Sequence, residues 1–214
     1  MELIIFDLDC TLVDSRQDIA SSVNEVLEQL NRPKLPNDRI YGFIGNGVRR
    51  LVERSLGDAL DQDVDRALDM FLPIYRRRLL ETTRPYPGVP EALDELRHNR
   101  TLAVLTNKPK RESVLLLEGL ELASYFRFVY GGESFPARKP NPIGVQSLID
   151  STGAKREQTL MVGDSHIDYE TARNANIPIC MVSYGLGAAK IKELGPDYVV
   201  DNLRQLVSIL SSAP

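Results

Sequence analysis

A chain of 214 residues, 43% hydrophobic and 26% charged, suits one large domain or a domain with an insertion, and is too apolar to remain disordered. Its 26 basic and 30 acidic side chains give a formal charge of −4, which supplies no basic stripe for a nucleic-acid backbone. Two cysteines make no disulfide framework, and no run nears the roughly 18 apolar residues of a membrane span.

The first residues, Met1 to Asp7, hold no basic leader and meet acid at once, so neither a signal nor a transit peptide is read here and a cytoplasmic location is expected. Leu3 to Phe6 is a short apolar run closed by Asp7. Four further runs follow: Thr101 to Leu105, Phe128 to Tyr130, Thr159 to Val162 and Ile177 to Val182, which includes Cys180 as a core residue. Tyr198 to Val200 is a candidate sixth. Continuous apolar runs bounded by turn residues suit strands buried on both faces. Helical stretches alternate with them, at Glu91 to Arg97, Ser113 to Leu122, Ile143 to Ile149 and a C-terminal stripe of Leu203, Leu206, Val207 and Leu210. The pattern predicts an α/β fold, a Rossmann-like parallel sheet with helices on both faces.

About ninety residues separate the first two runs, far more than a βα unit needs. Three apolar stripes fill them: Ile19 to Leu30, Val48 to Leu56 and Val64 to Leu72, with Pro33, Pro36 and Pro73 expected to punctuate or kink the helices. The predicted organisation is therefore an α/β core of residues 1–15 and 84–214 with an all-α insertion at residues 16–83. Arg76, Arg77 and Arg78 form the one dense basic cluster and are expected to lie on a solvated helix face.

Chemistry gathers at the ends of the runs. Asp7 and Asp9, at i and i+2 of an extended segment, point to one side. Acids at the C-terminal end of a strand lie in the ligand crevice of an open α/β sheet. Thr106 and Asn107 pair a hydroxyl and an amide with backbone N–H groups that suit phosphate oxygens. Lys139, set between prolines and an arginine, can neutralise a phosphate or a carboxylate. Asp164 and Asp168 sit four apart at a strand-to-helix turn, a hard-oxygen arrangement that suits Mg²⁺. Each signal alone also fits ordinary turn or cap chemistry. Three strand ends carrying phosphate or metal chemistry argue for one site.

Asp7-Leu8-Asp9-Cys10-Thr11, Thr106, Lys139 and Gly163-Asp164-Ser165-His166-Ile167-Asp168 stand in the order of the motifs of the haloacid dehalogenase superfamily, and the chain resembles that superfamily over most of its length. Phe43 to Arg49 and Leu51 to Arg54 are similar to the helical cap of its phosphoglycolate phosphatases. The resemblance implies a phosphoric monoester hydrolase acting on a small phosphorylated metabolite, with 2-phosphoglycolate as the expected substrate. Pyrophosphatase and sugar-phosphate phosphatase or phosphomutase activities use the same core. It implies Asp7 as nucleophile, Asp9 as general acid and base, and Mg²⁺ held by Asp7, the Asp9 carbonyl and Asp164, with Asp168 orienting metal waters or serving as a further ligand. Thr106, Asn107 and Lys139 would hold the phosphate oxygens, and Arg49 with the Gly45-Asn46-Gly47 backbone would meet a substrate carboxylate. An acid at Asp9 favours phosphoryl transfer over dehalogenation, which attacks carbon and needs none.

A non-catalytic phosphate sensor, a partner-binding protein and a receiver domain are the readings from other classes. Receivers place their phosphoacceptor on a middle strand and lack the long insertion. A second copy of the chain, as a homodimer, stays open as a partner. Cys10 stands where glycine is usual in the family, and an exposed thiolate there would be oxidisable. Asn176 also replaces a commoner glycine. His166 is expected at the surface. Four carboxylates against Lys139 would leave three negative charges in the crevice, which calls for a divalent cation before a phosphate dianion can enter.

Overall fold

The computed structural model describes residues 1–187 and 191–211. The chain opens with β1 (Leu3–Phe6) and a two-residue strand β2 (Val13–Asp14). Four helices follow: α1 (Arg16–Gln29), α2 (Asn37–Tyr41), α3 (Val48–Leu56) and α4 (Asp61–Arg78). After β3 (Arg84–Pro85) come α5 (Val89–Leu96), β4 (Thr101–Leu105), α6 (Lys110–Gly119), β5 (Phe128–Tyr130) and α7 (Ile143–Thr152). The chain continues through β6 (Thr159–Gly163), α8 (His166–Ala175), β7 (Ile179–Val182), α9 (Ile191–Leu194), β8 (Tyr198–Val200) and α10 (Leu203–Ser211).

Six strands form one parallel sheet in the order β5-β4-β1-β6-β7-β8. β1 lies inside it, with Leu3 level with Thr101 on one side and Thr159 on the other. Alternation along β1 divides the core between two faces. Ile4 and Phe6 join the cluster that contains Leu93 of α5 and Leu206 of α10. Leu3 and Ile5 join the cluster of Leu148 on α7 and Ala172 on α8. Both faces of the sheet are thus covered by helices, as the unbroken apolar runs predict.

Helices α1 to α4 share the first of these clusters through Ile19, Ile40, Leu51 and Phe71. β2 and β3, where the chain leaves for these helices and returns, pair antiparallel as Val13 with Pro85 and Asp14 with Arg84. Asp18 on α1 fixes this junction. Its buried carboxylate accepts from the backbone N–H of Thr82 and Thr83, at 3.0 and 2.9 Å, and from both threonine hydroxyls.

Two expectations need amendment. Pro73 does not end its helix; it lies inside α4, whose Val64, Ala67, Phe71 and Ile74 are buried on one face. The packing of that face outweighs the single backbone donor that proline lacks. The arginine cluster at the end of α4 is not simply solvated. Arg76 pairs with the buried Glu112 of α6 at 2.6 Å, and Arg77 and Arg78 pair with Glu25 of α1. None of the described helices is long and apolar enough to cross a membrane.

Candidate active site

The C-terminal ends of β1, β4 and β6 open into one crevice beneath the helices. Asp7 continues the ladder of β1, its N–H donating to the Val162 carbonyl at 2.9 Å. Asp164 follows β6 directly. Asp168 enters from the first turn of α8, where it and Ser165 form a reciprocal cap: Ser165 N and Oγ donate to Asp168 Oδ2 at 3.1 and 2.7 Å, and Asp168 N returns a bond to Ser165 Oγ. Ligand oxygens of Asp7, Asp164 and Asp168 all lie within 4.8 Å of one another, and all three residues are buried.

Glycine makes this crowding feasible. A Cβ at Gly163 would sit 2.3 Å from Asp168 Cβ, and one at Gly185 would sit 2.2 Å from Asp164 Cβ. The backbone passes the acids at a distance that no larger residue allows.

Lys139 arrives from the loop after β5. Its ammonium lies 2.7 Å from Asp168 Oδ1 and 2.9 Å from Asp7 Oδ1. Burial opposes its charge, but the two carboxylates prevail and raise its pKa. The second contact lacks hydrogen-bond alignment, so Asp7 Oδ1 is a buried oxygen without a hydrogen-bond partner. Burial pushes the Asp7 carboxyl up to about 6; Lys139 opposes the rise and Asp168 adds to it. Asp164 is pushed up to about 8 by burial, then by the charges of Asp168 and Asp7, although Thr11 Oγ1 and Leu186 N donate to it. Three buried carboxylates gathered this closely, two of them held above their ordinary range, suit a divalent cation.

Asp9 has a different environment. Its carboxylate is absent from that trio and accepts from Ser15 Oγ at 2.5 Å and from Lys108 Nζ at 2.9 and 3.1 Å. Lys108 Nζ also donates to Tyr75 Oη of α4 and lies 4.5 Å from the centre of that ring. Lys108 closes the Thr106-Asn107-Lys108 stretch, which is itself similar to the phosphoglycolate phosphatases, but no role was expected of it, and Tyr75 was not singled out. They meet Asp9 from 99 and 66 positions away, and only the crossing of β4 beside β1 with α4 above brings them together. Lys108 also changes the charge of the crevice. Four carboxylates now face two ammonium groups, leaving two negative charges instead of three, the amount that one divalent cation cancels.

Thr106 is buried at the end of β4, and its hydroxyl oxygen accepts from Lys108 N. Asn107 stands at the crevice, but its amide donors are committed: Nδ2 donates to the carbonyls of Gly45 and Lys139 at 2.9 and 3.0 Å. The buried Asn107 Oδ1 has no partner, and as an acceptor it does not suit phosphate oxygens. The expected side-chain contact from Asn107 to phosphate gives way to a tie between the helical segment and the sheet. Gly45 and Gly47 line the crevice, while Asn46 and Arg49 do not. Arg49 turns instead to Glu53, Asp61 and Asp65, at 3.1, 3.6 and 2.5 Å. These acids sit on its own helix and on α4 and hold the guanidinium away from the cavity wall.

Cys10 is buried with a backbone φ of 64°, the left-handed region that explains why glycine is usual there. Burial, then the charges of Asp164 and Asp9, push its thiol well up. An exposed, oxidisable thiolate is therefore excluded. Asn176 caps α8 with φ 54°, the same substitution of asparagine for glycine. His166 is exposed, as expected.

Comparison with known proteins agrees with this geometry. The profile of the haloacid dehalogenase-like hydrolase family matches residues 4–182. The phosphoglycolate phosphatase of Pseudomonas syringae pv. tomato is 37% identical over 96% of this chain and 78% of its own length. That of Nitrosospira multiformis is 34% identical over 100% of this chain and 97% of its own. A predicted phosphoglycolate phosphatase from Haemophilus somnus 129PT superposes with a TM-score of 0.93 at 30% identity, covering 98% of both chains. The spacing of the motifs, the strand that carries each of them and the length of the match all lead to one assignment: the chain belongs to the haloacid dehalogenase-like hydrolases.

Proposed function

We propose that this hydrolase is a phosphatase for small phosphate monoesters, with 2-phosphoglycolate as its preferred substrate. The carrying observation is the separation of two neighbouring acids. Asp7 faces Lys139 and the carboxylate cluster, whereas Asp9 is turned to Lys108 and Ser15. Two carboxyl groups in unlike surroundings can take unlike roles. Asp7, with its unpartnered Oδ1, attacks phosphorus as the leaving oxygen departs in line, forming an aspartyl-phosphate. Asp9 gives the leaving alkoxide a proton and then takes one from the water that frees Asp7. Thr106 and Lys139 hold phosphate oxygens while charge develops. Asp168 serves Lys139 as an orienting partner; both its oxygens are engaged, one with Lys139 and one with Ser165.

Asp7, Asp164 and the Asp9 carbonyl would hold Mg²⁺, with Asp168 behind them; when bound, the ion offsets the negative charge of the crevice and of the incoming phosphate. Helices α1 to α4 would act as a cap over the leaving group, setting its size and excluding water. The names of the relatives support phosphoglycolate as the substrate.

A phosphate-release assay with Mg²⁺ over 2-phosphoglycolate, sugar phosphates and pyrophosphate tests the reading. Activity should be highest on 2-phosphoglycolate, need no sugar bisphosphate to start, and vanish in Asp7→Asn together with acid-stable labelling of the protein by substrate phosphate. Wild-type turnover by Asp7→Asn would remove Asp7 as nucleophile.

A further inference from the structure

The crevice poses a question that the catalytic acids do not answer: what reads the part of the substrate that leaves. Phosphate is matched by Thr106 and Lys139, but a carboxylate on the leaving group needs a cation on the far side of Asp9. Arg49 is tied to Glu53, Asp61 and Asp65 and does not line the cavity. Among the described residues that line it, one is cationic: Lys108. Its side chain is 3% exposed.

Lys108 is built as a site. An ammonium has three N–H donors. Two of them go to the two oxygens of the Asp9 carboxylate and one to Tyr75 Oη, so an anionic ligand takes the place of one of the two Asp9 contacts. Tyr75 fixes the direction of the ammonium from α4 through the hydrogen bond that Nζ donates to its Oη. The rest of the far wall is apolar: Ile44, Val48, Leu51, Phe71 and Leu72. An anion arriving there finds a single polar anchor. Ile44, Val48, Leu51, Phe71 and Leu72 offer no side-chain hydrogen-bond partner to the hydroxyls of a sugar.

We infer that Lys108, held by Tyr75, is the specificity residue of this enzyme, pairing with an anionic group one or two carbons from the ester oxygen of a short substrate. The assignment rests on the monoester-hydrolysis reading above and adds what selects among the monoesters. Size is limited by the apolar wall of the helical segment. Charge is selected by a lysine of the sheet.

Two substrates of equal chain length isolate the charge: 2-phosphoglycolate and ethyl phosphate. Lys108 also touches Asp9, so its loss slows both reactions; the ratio of kcat/KM between the two removes that shared effect. Wild type should favour 2-phosphoglycolate by about thirtyfold or more, the range in which loss of one partner of a buried charge pair falls. Lys108→Met should reduce the ratio at least about tenfold, Lys108→Arg should restore part of it, and Tyr75→Phe should lower it at least about threefold. Glycolate should inhibit ethyl phosphate hydrolysis by wild type and lose that effect in Lys108→Met. A ratio unchanged in Lys108→Met, or in Tyr75→Phe should the first variant not fold, overturns the inference and leaves the phosphatase reading intact. Wild type that releases phosphate from neither ester overturns that reading, and this inference with it.

Discussion

Asp18→Ala is the sharpest test of how the helical segment is attached. The wild-type carboxylate, 1% exposed, accepts from four donors on Thr82 and Thr83. Thr82 is exposed, and water replaces what it loses. Thr83 is fully buried, so its N–H and hydroxyl are left without an acceptor. Each such group costs about 1–3 kcal/mol, so the variant should be about 2–5 kcal/mol less stable. Urea unfolding followed by circular dichroism gives the loss from the midpoint and slope. A second comparison sharpens it. In a Thr83→Val background one orphaned donor no longer exists, and Asp18→Ala should cost about 1–2 kcal/mol less there. A loss below about 1 kcal/mol in the single variant, or an equal loss in both backgrounds, would refute the reasoning.

Three further outcomes follow from the site. With a chelator present, the acids pushed up to about 6 and about 8 keep protons in the native state that the unfolded chain has released near its ordinary carboxyl value. The native state then binds more protons, so the melting temperature should fall as pH rises from about 5 to 8, and Mg²⁺ should flatten the fall; a chelated protein that melts higher at pH 8 would contradict this. Arg49→Ala should leave kcat/KM for 2-phosphoglycolate within about fivefold of wild type, since its partners are exposed acids; a loss of two orders of magnitude would return Arg49 to the crevice. Peroxide should inactivate wild type and Cys10→Gly at the same rate, because the thiol is buried and held protonated; protection in the variant would show that Cys10 is reached.

The sheet was legible because strands buried on both faces are written as unbroken apolar runs, and Leu3–Phe6, Thr101–Leu105, Phe128–Tyr130 and Tyr198–Val200 end where the runs end. Strand ends are also where an open α/β sheet puts its ligand, so Asp7, Thr106 and Asp164 drew notice together, at three such ends, where each alone would not. What stayed hidden depends on meetings across the fold. β2 and β3 are two residues each, too short for any periodicity. Arg49 was misplaced because Asp61 and Asp65 become its neighbours only when α3 packs on α4. Lys108 ends the Thr106-Asn107-Lys108 turn, and its pairing with Asp9 shows only once β4 lies beside β1. Asn107 was correctly brought to the crevice, yet its amide proved to be mortar between two segments.

The short ribbon of β2 and β3 has an evolutionary meaning. Asp14 and Arg84 are paired neighbours, so the chain departs and returns through points about 5 Å apart. A two-residue hairpin turn spans that gap. Because the ends meet, the length of the segment between them does not set the register of the six-stranded sheet. A replacement must match the apolar cluster that holds Leu12 and Val89 and must also supply partners for the buried Glu112 and Lys108. Such a lineage can trade one leaving-group pocket for another in a single insertion event while its hydrolytic chemistry passes on unaltered.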